Sequence, residues 1–84
     1  MSMENNQSIR VWSGERTLLP NDKAPYGYQL HCLVGEGYLR IMSSARRQFV
    51  KRGDQLTIIG DDIATLTGKK TMLVELRKLK NHKR

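Results

Sequence analysis

The chain has 84 residues, a length that predicts one small domain with a thin core. It carries 15 lysines and arginines against 8 aspartates and glutamates, so its formal net charge is +7. The single cysteine excludes an internal disulfide, and the sequence shows neither the long apolar run of a membrane span nor the pattern of a signal peptide. We therefore expect a reduced, cytoplasmic protein.

Short apolar stretches alternate with turn residues along most of the chain, which is the pattern of a small all-β barrel or sandwich. Residues 1–7 predict a flexible N-terminus, residues 8–79 a single β domain, and residues 80–84 a basic tail. The predicted strands, in chain order, are residues 8–12, 17–19, 28–34, 38–42, 47–50, 55–59, 63–67 and 71–77.

The alternation of side chains within a strand predicts which of them face the core. In the third strand the predicted inward residues are Leu30, Cys32 and Val34. The fourth and fifth strands predict a hairpin with its tip at residues 43–46. Phe49, in the second arm of this hairpin, is expected to face the core, which would leave no platform on which bases could stack.

The basic residues of this hairpin are expected to lie apart. Arg46 and Arg47 would be at the tip, whereas Lys51 and Arg52 would be at the opposite end. The hairpin therefore predicts two small basic patches and no continuous basic stripe.

The last predicted strand is ambiguous. The apolar alternation of residues 72–76 fits a strand, whereas Leu73, Leu76 and Leu79 fit one stripe of a helix. We favour a strand over residues 71–77, because the glycine-led turn before it suits a hairpin.

The order of signals in residues 33–41 (LVGEGYLRI) and 49–58 (FVKRGDQLTI) is more specific. A strand ends at a glycine, a hairpin follows, and a Gly-Asp turn precedes the next apolar strand. This order resembles the cupin pattern, in which a Pro-Gly-Asp-like turn opens that strand, with Arg52 here at the proline position. The resemblance covers residues 26–77 and implies a small cupin-like antiparallel β-barrel or jelly-roll sandwich.

The resemblance does not extend to a metal site. Cupins that bind metal carry two histidines and a glutamate before the strand-ending glycine, and a further histidine in a later strand. The resemblance places these ligands near residues 21–24, Tyr28 and Ala64, and none of these positions holds such a ligand. It therefore implies a cupin-like fold with no metal, no other cofactor and none of the enzyme activities of metal cupins.

No other residues form a convergent catalytic set, so we expect a protein that is not an enzyme. His31 and Cys32 are adjacent in a strand and point to opposite faces, which prevents them from acting as a pair. Asp61 and Asp62 could hold a cation with Asp54, but hydrogen bonding within turns is the commoner role of such aspartates.

Aromatic residues are the candidates for binding a small molecule. They could line the mouth of the barrel and take a sugar or a flat metabolite, with a histidine at the polar rim. The candidate ligand-binding residues are Trp12, Tyr26, Tyr28, His31 and Tyr38. The alternative is that these rings cap a thin core.

Most of the positive charge lies at the end of the chain. Residues 69–84 hold seven basic residues and one acid, a net charge of +6, whereas the other 68 residues carry a net charge of +1. The basic residues are Lys69, Lys70, Arg77, Lys78, Lys80, Lys83 and Arg84. They could contact the phosphates of a nucleic acid, or they could be a solvated terminus. The nearly neutral body predicts no electrostatic reason for the domain itself to bind DNA or RNA.

Two functions are therefore weighed. The first is a non-enzymatic cupin-like binding or regulatory module that takes a small molecule or a protein partner and forms a homo-oligomer. The alternative is a nucleic-acid-associated protein that uses the basic C-terminal segment for weak phosphate contacts.

Overall fold

The computed structural model describes residues 6–19, 27–43, 46–59 and 63–79. These residues form eight strands and no helix. The strands are β1 (Asn6–Val11), β2 (Arg16–Leu18), β3 (Tyr28–Val34), β4 (Glu36–Ile41), β5 (Arg46–Lys51), β6 (Gln55–Ile58), β7 (Ala64–Gly68) and β8 (Met72–Lys78). The described part of the chain contains no helix with the length and apolar character that a membrane crossing requires.

The strands form two antiparallel sheets of four strands each. The first sheet has the order β1-β8-β3-β6, and the second has the order β2-β7-β4-β5. This is the strand order of a jelly roll, in which most connections cross from one sheet to the other. The prediction of an all-β jelly-roll sandwich is confirmed, and the two sheets do not close into a barrel.

Inward side chains of both sheets pack together as one core. Among the described residues, no charged side chain is buried, and the buried polar atom of the core is the hydroxyl of a tyrosine. The core residues are Val11, Leu19, Tyr28, Leu30, Cys32, Leu39, Val50, Ile58, Ala64, Leu66, Met72, Val74 and Leu76. Charged groups that could act on a ligand therefore lie on the outer faces of the sheets.

Two glycines let the chain pass tightly from the first sheet to the second. Gly35 lies between β3 and β4 with a φ of +83°, and a Cβ there would collide with the carbonyl oxygen of Thr71. A Cβ on Gly37 would lie 2.6 Å from the sulfur of Met72. A Cβ there would also collide with the carbonyl oxygen of Thr67 in β7, so close packing against β7 and the start of β8 explains the Gly35-x-Gly37 sequence.

Three details of the sequence interpretation change. The helical alternative for the last segment is wrong, because β8 is a strand. Val34 is 51% exposed instead of inward, because the pairing of β3 with β8 shifts register between Cys32 and Val34. β1 begins at Asn6, ahead of the predicted boundary at Ser8, because its pairing with β8 starts there.

Phe49 is the fourth change, and it bears on function. The sequence predicted that this ring faces the core, but it is 43% exposed on the outer side of β5. Its neighbour Val50 is the inward residue, because it pairs with Gly37, which belongs to the inward side of β4. One aromatic ring is therefore available on an outer face.

Candidate functional site

The aromatic residues predicted to form a barrel mouth do not meet. Tyr28 is 3% exposed and belongs to the core, where burial raises the pKa of its hydroxyl. That hydroxyl has no hydrogen-bond partner within the described part of the chain. Trp12 is 56% exposed at the end of β1, with the guanidinium carbon of Arg10 5.4 Å from its ring centre. Tyr26 lies outside the described residues.

His31 lies on the outer face of the first sheet. It borders a shallow groove of about 150 Å³ whose other lining residues are Gln29, Gln55, Glu75 and Arg77. The negative charge of Glu75 and the positive charge of Arg77 offset each other in this lining. Cys32 points the opposite way into the core, where burial raises the pKa of its thiol, so it is not a nucleophile paired with His31.

The basic C-terminal segment does not form one surface in its described part. Lys69 and Lys70 lie in the turn before β8, and the Lys69 ammonium is 3.9 Å from a carboxylate oxygen of Glu36. Arg77 and Lys78 lie at the other end of β8, roughly 20 Å away at the rise of a β-strand. The remaining basic residues of the set, Lys80, Lys83 and Arg84, lie outside the described residues.

Three arginines come together on the outer face of the second sheet. The pairing of β4 with β5 places Arg40 directly opposite Arg47. Arg16 extends from β2, on the far side of β7. The basic residues of the hairpin do lie at the two ends of β5, but the sequence analysis left Arg16 out of this group.

We call this surface the arginine face. One row across it is Arg16, Thr67, Tyr38 and Phe49, and the next row is Leu18, Thr65, Arg40 and Arg47. An open groove of about 320 Å³ lies in it, lined by Gly14, Arg16, Tyr38, Arg40, Arg47, Thr65 and Thr67. Because the rows follow strand pairing, the regular backbone of four strands sets the positions of these residues.

An aromatic pair lies beside the arginines. The rings of Tyr38 and Phe49 have centres 5.5 Å apart and are tilted by 57°. The guanidinium carbon of Arg47 is 4.8 Å from the centre of the Tyr38 ring, a cation–π contact. This contact orients Arg47 and leaves its hydrogen-bond donors free for a ligand.

Among the described residues, no carboxylate forms an ion pair with an arginine of the arginine face. In the described part of the chain, the ion pairs are Lys51 with Asp54 at 3.7 Å and Lys69 with Glu36 at 3.9 Å, and neither includes an arginine of the face. Glu15, next to Arg16, instead accepts a hydrogen bond from the backbone N–H of Trp12 at 2.9 Å.

Two like charges directly opposite each other in a sheet destabilise it, so Arg40 and Arg47 are not explained by folding. An unpaired cluster of guanidinium groups around a groove is instead suited to hold an anion, because each group offers several N–H donors in a fixed plane.

One signal in the sequence could have revealed part of this face. A hairpin with its tip at residues 43–46 pairs position 40 with position 49, which already puts Arg40 and Arg47 on one face. The structure pairs Ile41 with Arg46, one residue away from that register, and this brings Arg40 directly opposite Arg47. The contribution of β2 had no such signal, because β2 and β4 are joined through β7, which comes later in the chain.

No known family model and no curated protein matches this sequence. Its fold does match solved structures. A conserved protein of unknown function from Streptococcus pyogenes matches with a TM-score of 0.67 and 13% identity, over 96% of this chain and 69% of that one. A cupin protein from Bacteroides fragilis matches with a TM-score of 0.64 and 13% identity, over 99% of this chain and 75% of that one. The chain therefore has the fold of a small cupin-like domain.

The residues that this structure describes do not fit a cupin metal site. Tyr28 and Ala64 stand at two of the positions that the resemblance assigns to metal ligands, and both are core residues without an imidazole or carboxylate group. Within the described ranges, no three His, Cys, Asp or Glu side chains lie close enough to share an ion. The other positions, residues 21–24, lie outside those ranges, as does the Gly60-Asp61-Asp62 turn.

Proposed function

We propose that this cupin-like domain is a non-enzymatic binding module that holds an anionic ligand on the arginine face. The observation that carries the proposal is the convergence of Arg16, Arg40 and Arg47 on one open groove without a carboxylate partner among the described residues. Guanidinium groups bind phosphate and carboxylate through paired hydrogen bonds. The hydroxyl groups of Thr65 and Thr67, in the same groove, add donors of the kind such anions accept.

The lining of the groove also supports binding without catalysis. It consists of arginine, threonine, tyrosine and glycine. A guanidinium does not release its proton in proteins, and a threonine hydroxyl becomes a nucleophile only beside a base. Among the described residues that line the groove there is no histidine, aspartate, glutamate or cysteine. A homo-oligomeric state and a cytoplasmic location stay predictions.

The test is a titration of the full chain with tripolyphosphate, in which isothermal titration calorimetry measures the affinity. Replacing two of the three arginines, in an Arg40→Gln/Arg47→Gln variant, is expected to weaken binding at least about tenfold, because each lost charge-assisted hydrogen bond contributes about 1.5–3 kcal/mol.

The matched control is an Arg10→Gln/Arg52→Gln variant. It removes the same total charge from exposed arginines on the first sheet and in the turn after β5. We expect this control to change the affinity less than about threefold, since long-range attraction between exposed charges is screened by salt. Equal losses in the two variants would show attraction to net charge alone, and the proposal would be wrong.

A further inference from the structure

We infer that the anion held on the arginine face is the backbone of a single-stranded nucleic acid, with a base stacked on the exposed ring of Phe49, beside the Tyr38 ring that Arg47 covers. This inference rests on the proposed function and adds the class of ligand. The exposed ring of Phe49 is a part of the arginine face that a simple anion would not contact. Phe49 exposes 43% of its surface in the same row as Tyr38, beside the arginines.

Exposed aromatic rings among basic groups match the chemistry of a nucleic acid strand. Bases stack on aromatic side chains, and arginines bind the phosphates between them. A four-stranded sheet is a known support for this arrangement, with two or three bases on its aromatic residues. The arginine face has the same elements, namely a flat sheet of four strands, an adjacent pair of rings and three arginines.

The dimensions of the face suit a short length of strand. Arg16 on β2 and Phe49 on β5 lie in one row, with β7 and β4 between them. Three spacings between neighbouring strands span roughly 14 Å. A strand lying along this row would place one phosphate near Arg16, others near Arg40 and Arg47 in the neighbouring row, and a base near the Phe49 ring.

The face is limited by a third row of β4 and β5, which lies on the side of Tyr38 and Phe49 away from Arg40 and Arg47. There Glu36 pairs with Lys51, and Lys69 approaches the same glutamate. Lys51 also pairs with Asp54, so the two lysines of this row are matched by two carboxylates and the row adds no further attraction for phosphates. The site is therefore short, and the salt dependence of binding should correspond to about three phosphate contacts.

The geometry favours a single strand over a duplex. The described residues form no helix that could enter a major groove. In a duplex, the faces of the bases are stacked on each other, so the rings of Tyr38 and Phe49 could not reach them.

Fluorescence anisotropy with the full chain tests the inference. The probes are a labelled short oligothymidine strand and an abasic strand of the same length, which has the same phosphates and no bases. We expect oligothymidine to bind about fivefold or more tightly than the abasic strand, because stacking strengthens binding. Phe49→Leu should lower the affinity for oligothymidine to about that of the abasic strand and leave the abasic strand unchanged.

A Trp12→Leu variant is the matched control, because Trp12 is also an exposed ring beside an arginine but lies on the first sheet. It should change neither affinity. Equal affinity for both strands, with tripolyphosphate still bound, would overturn the nucleic acid inference and leave the proposed anion function intact. Failure to bind either strand or tripolyphosphate would overturn both.

Two competitors separate the inference from other polyanion partners. A duplex of the same sequence and a short polyglutamate peptide are each expected to displace oligothymidine at least about tenfold less well, because neither offers free bases to the rings. Displacement by polyglutamate as effective as that by unlabelled oligothymidine would identify an acidic protein segment as the partner. Tighter binding of the duplex would exclude the stacking arrangement.

Discussion

The two sheets share one core but present different chemistry to solvent. On the outer face of the first sheet, an acid and a base, Glu75 and Arg77, line the same groove. On the outer face of the second sheet, Arg40 and Arg47 stand directly opposite each other, and no described carboxylate pairs with them. Opposite charges side by side favour the stability of a sheet, whereas like charges directly opposite each other lower it. The unbalanced face is therefore the one that folding does not explain, and we assign function to it.

The comparison also holds between the two sides of a single strand. Leu39 points into the core from β4, and Arg40 points out onto the arginine face. We expect Leu39→Ala to lower the free energy of unfolding by about 2–5 kcal/mol, because it leaves a cavity in the core. Arg40→Gln should change it by less than about 0.5 kcal/mol or raise it, because a like-charge contact is removed.

Urea denaturation measures both changes in the free energy of unfolding. In the tripolyphosphate titration we expect the opposite order: Arg40→Gln should weaken binding, whereas a milder Leu39→Val variant that still folds should bind as the unchanged protein does. A loss of stability in Arg40→Gln comparable to that in Leu39→Ala would mean that the arginine has a structural role.

A second variant gives the arginine face the mixed charge found on the outer face of the first sheet. Thr65 pairs with Arg40 across β7 and β4, so Thr65→Glu would place a carboxylate opposite the guanidinium. An opposite-charge pair of this kind contributes about 0.2–1 kcal/mol, so the folded state should become slightly more stable. Tripolyphosphate affinity should fall at least about tenfold, because the carboxylate occupies the donors that the ligand needs.

Thr57→Glu on β6 is the control for this change. Thr57 pairs with Gln29 on the outer face of the first sheet, away from the arginines. Thermal denaturation and the same titration should show no more than about a twofold change in affinity, since only the net charge differs. If both glutamates weaken binding equally, the two faces are equivalent for the ligand and our distinction between them fails.

The smallest effect is expected from the end of the chain. A Lys80→Gln/Lys83→Gln/Arg84→Gln variant removes three of the basic residues that first suggested a nucleic acid partner. We expect it to weaken the binding of oligothymidine and of the abasic strand by the same factor, below about fivefold, because exposed charges act without contacting bases. A larger loss than in the Arg40→Gln/Arg47→Gln variant would return the function to the C-terminal segment.

Much of the fold was predictable because its signals are local. The turn at Gly53, the hairpin of β4 and β5, and the alternation in β4 and β8 follow from residues close together in the chain. Two predictions of side-chain direction were wrong, those that placed Val34 and Phe49 in the core. Val34 is turned outward where β3 and β8 shift register, and Phe49 is turned outward by the pairing of its neighbour Val50.

The site was less predictable than the fold. Of the five candidate ligand-binding residues, Tyr38 lines the groove that we propose, whereas Tyr28 belongs to the core. Net charge was also an incomplete guide. A body with a charge of +1 outside residues 69–84 predicted no attraction for nucleic acids, yet three of its six arginines line one groove.

The sequence by itself determined the strands, the turns and the inward or outward direction of most side chains, because a strand alternates its side chains with a period of two residues. Only the tertiary structure decided which outward residues share a face. In a jelly roll the neighbours β2, β7 and β4 come from distant parts of the chain, so Arg16, Thr65 and Arg40 become adjacent through backbone hydrogen bonds between strands. The β4–β5 hairpin by itself brings Arg40 and Arg47 together, but the addition of Arg16 and the threonines of β7 is a property of strand order that no single segment contains.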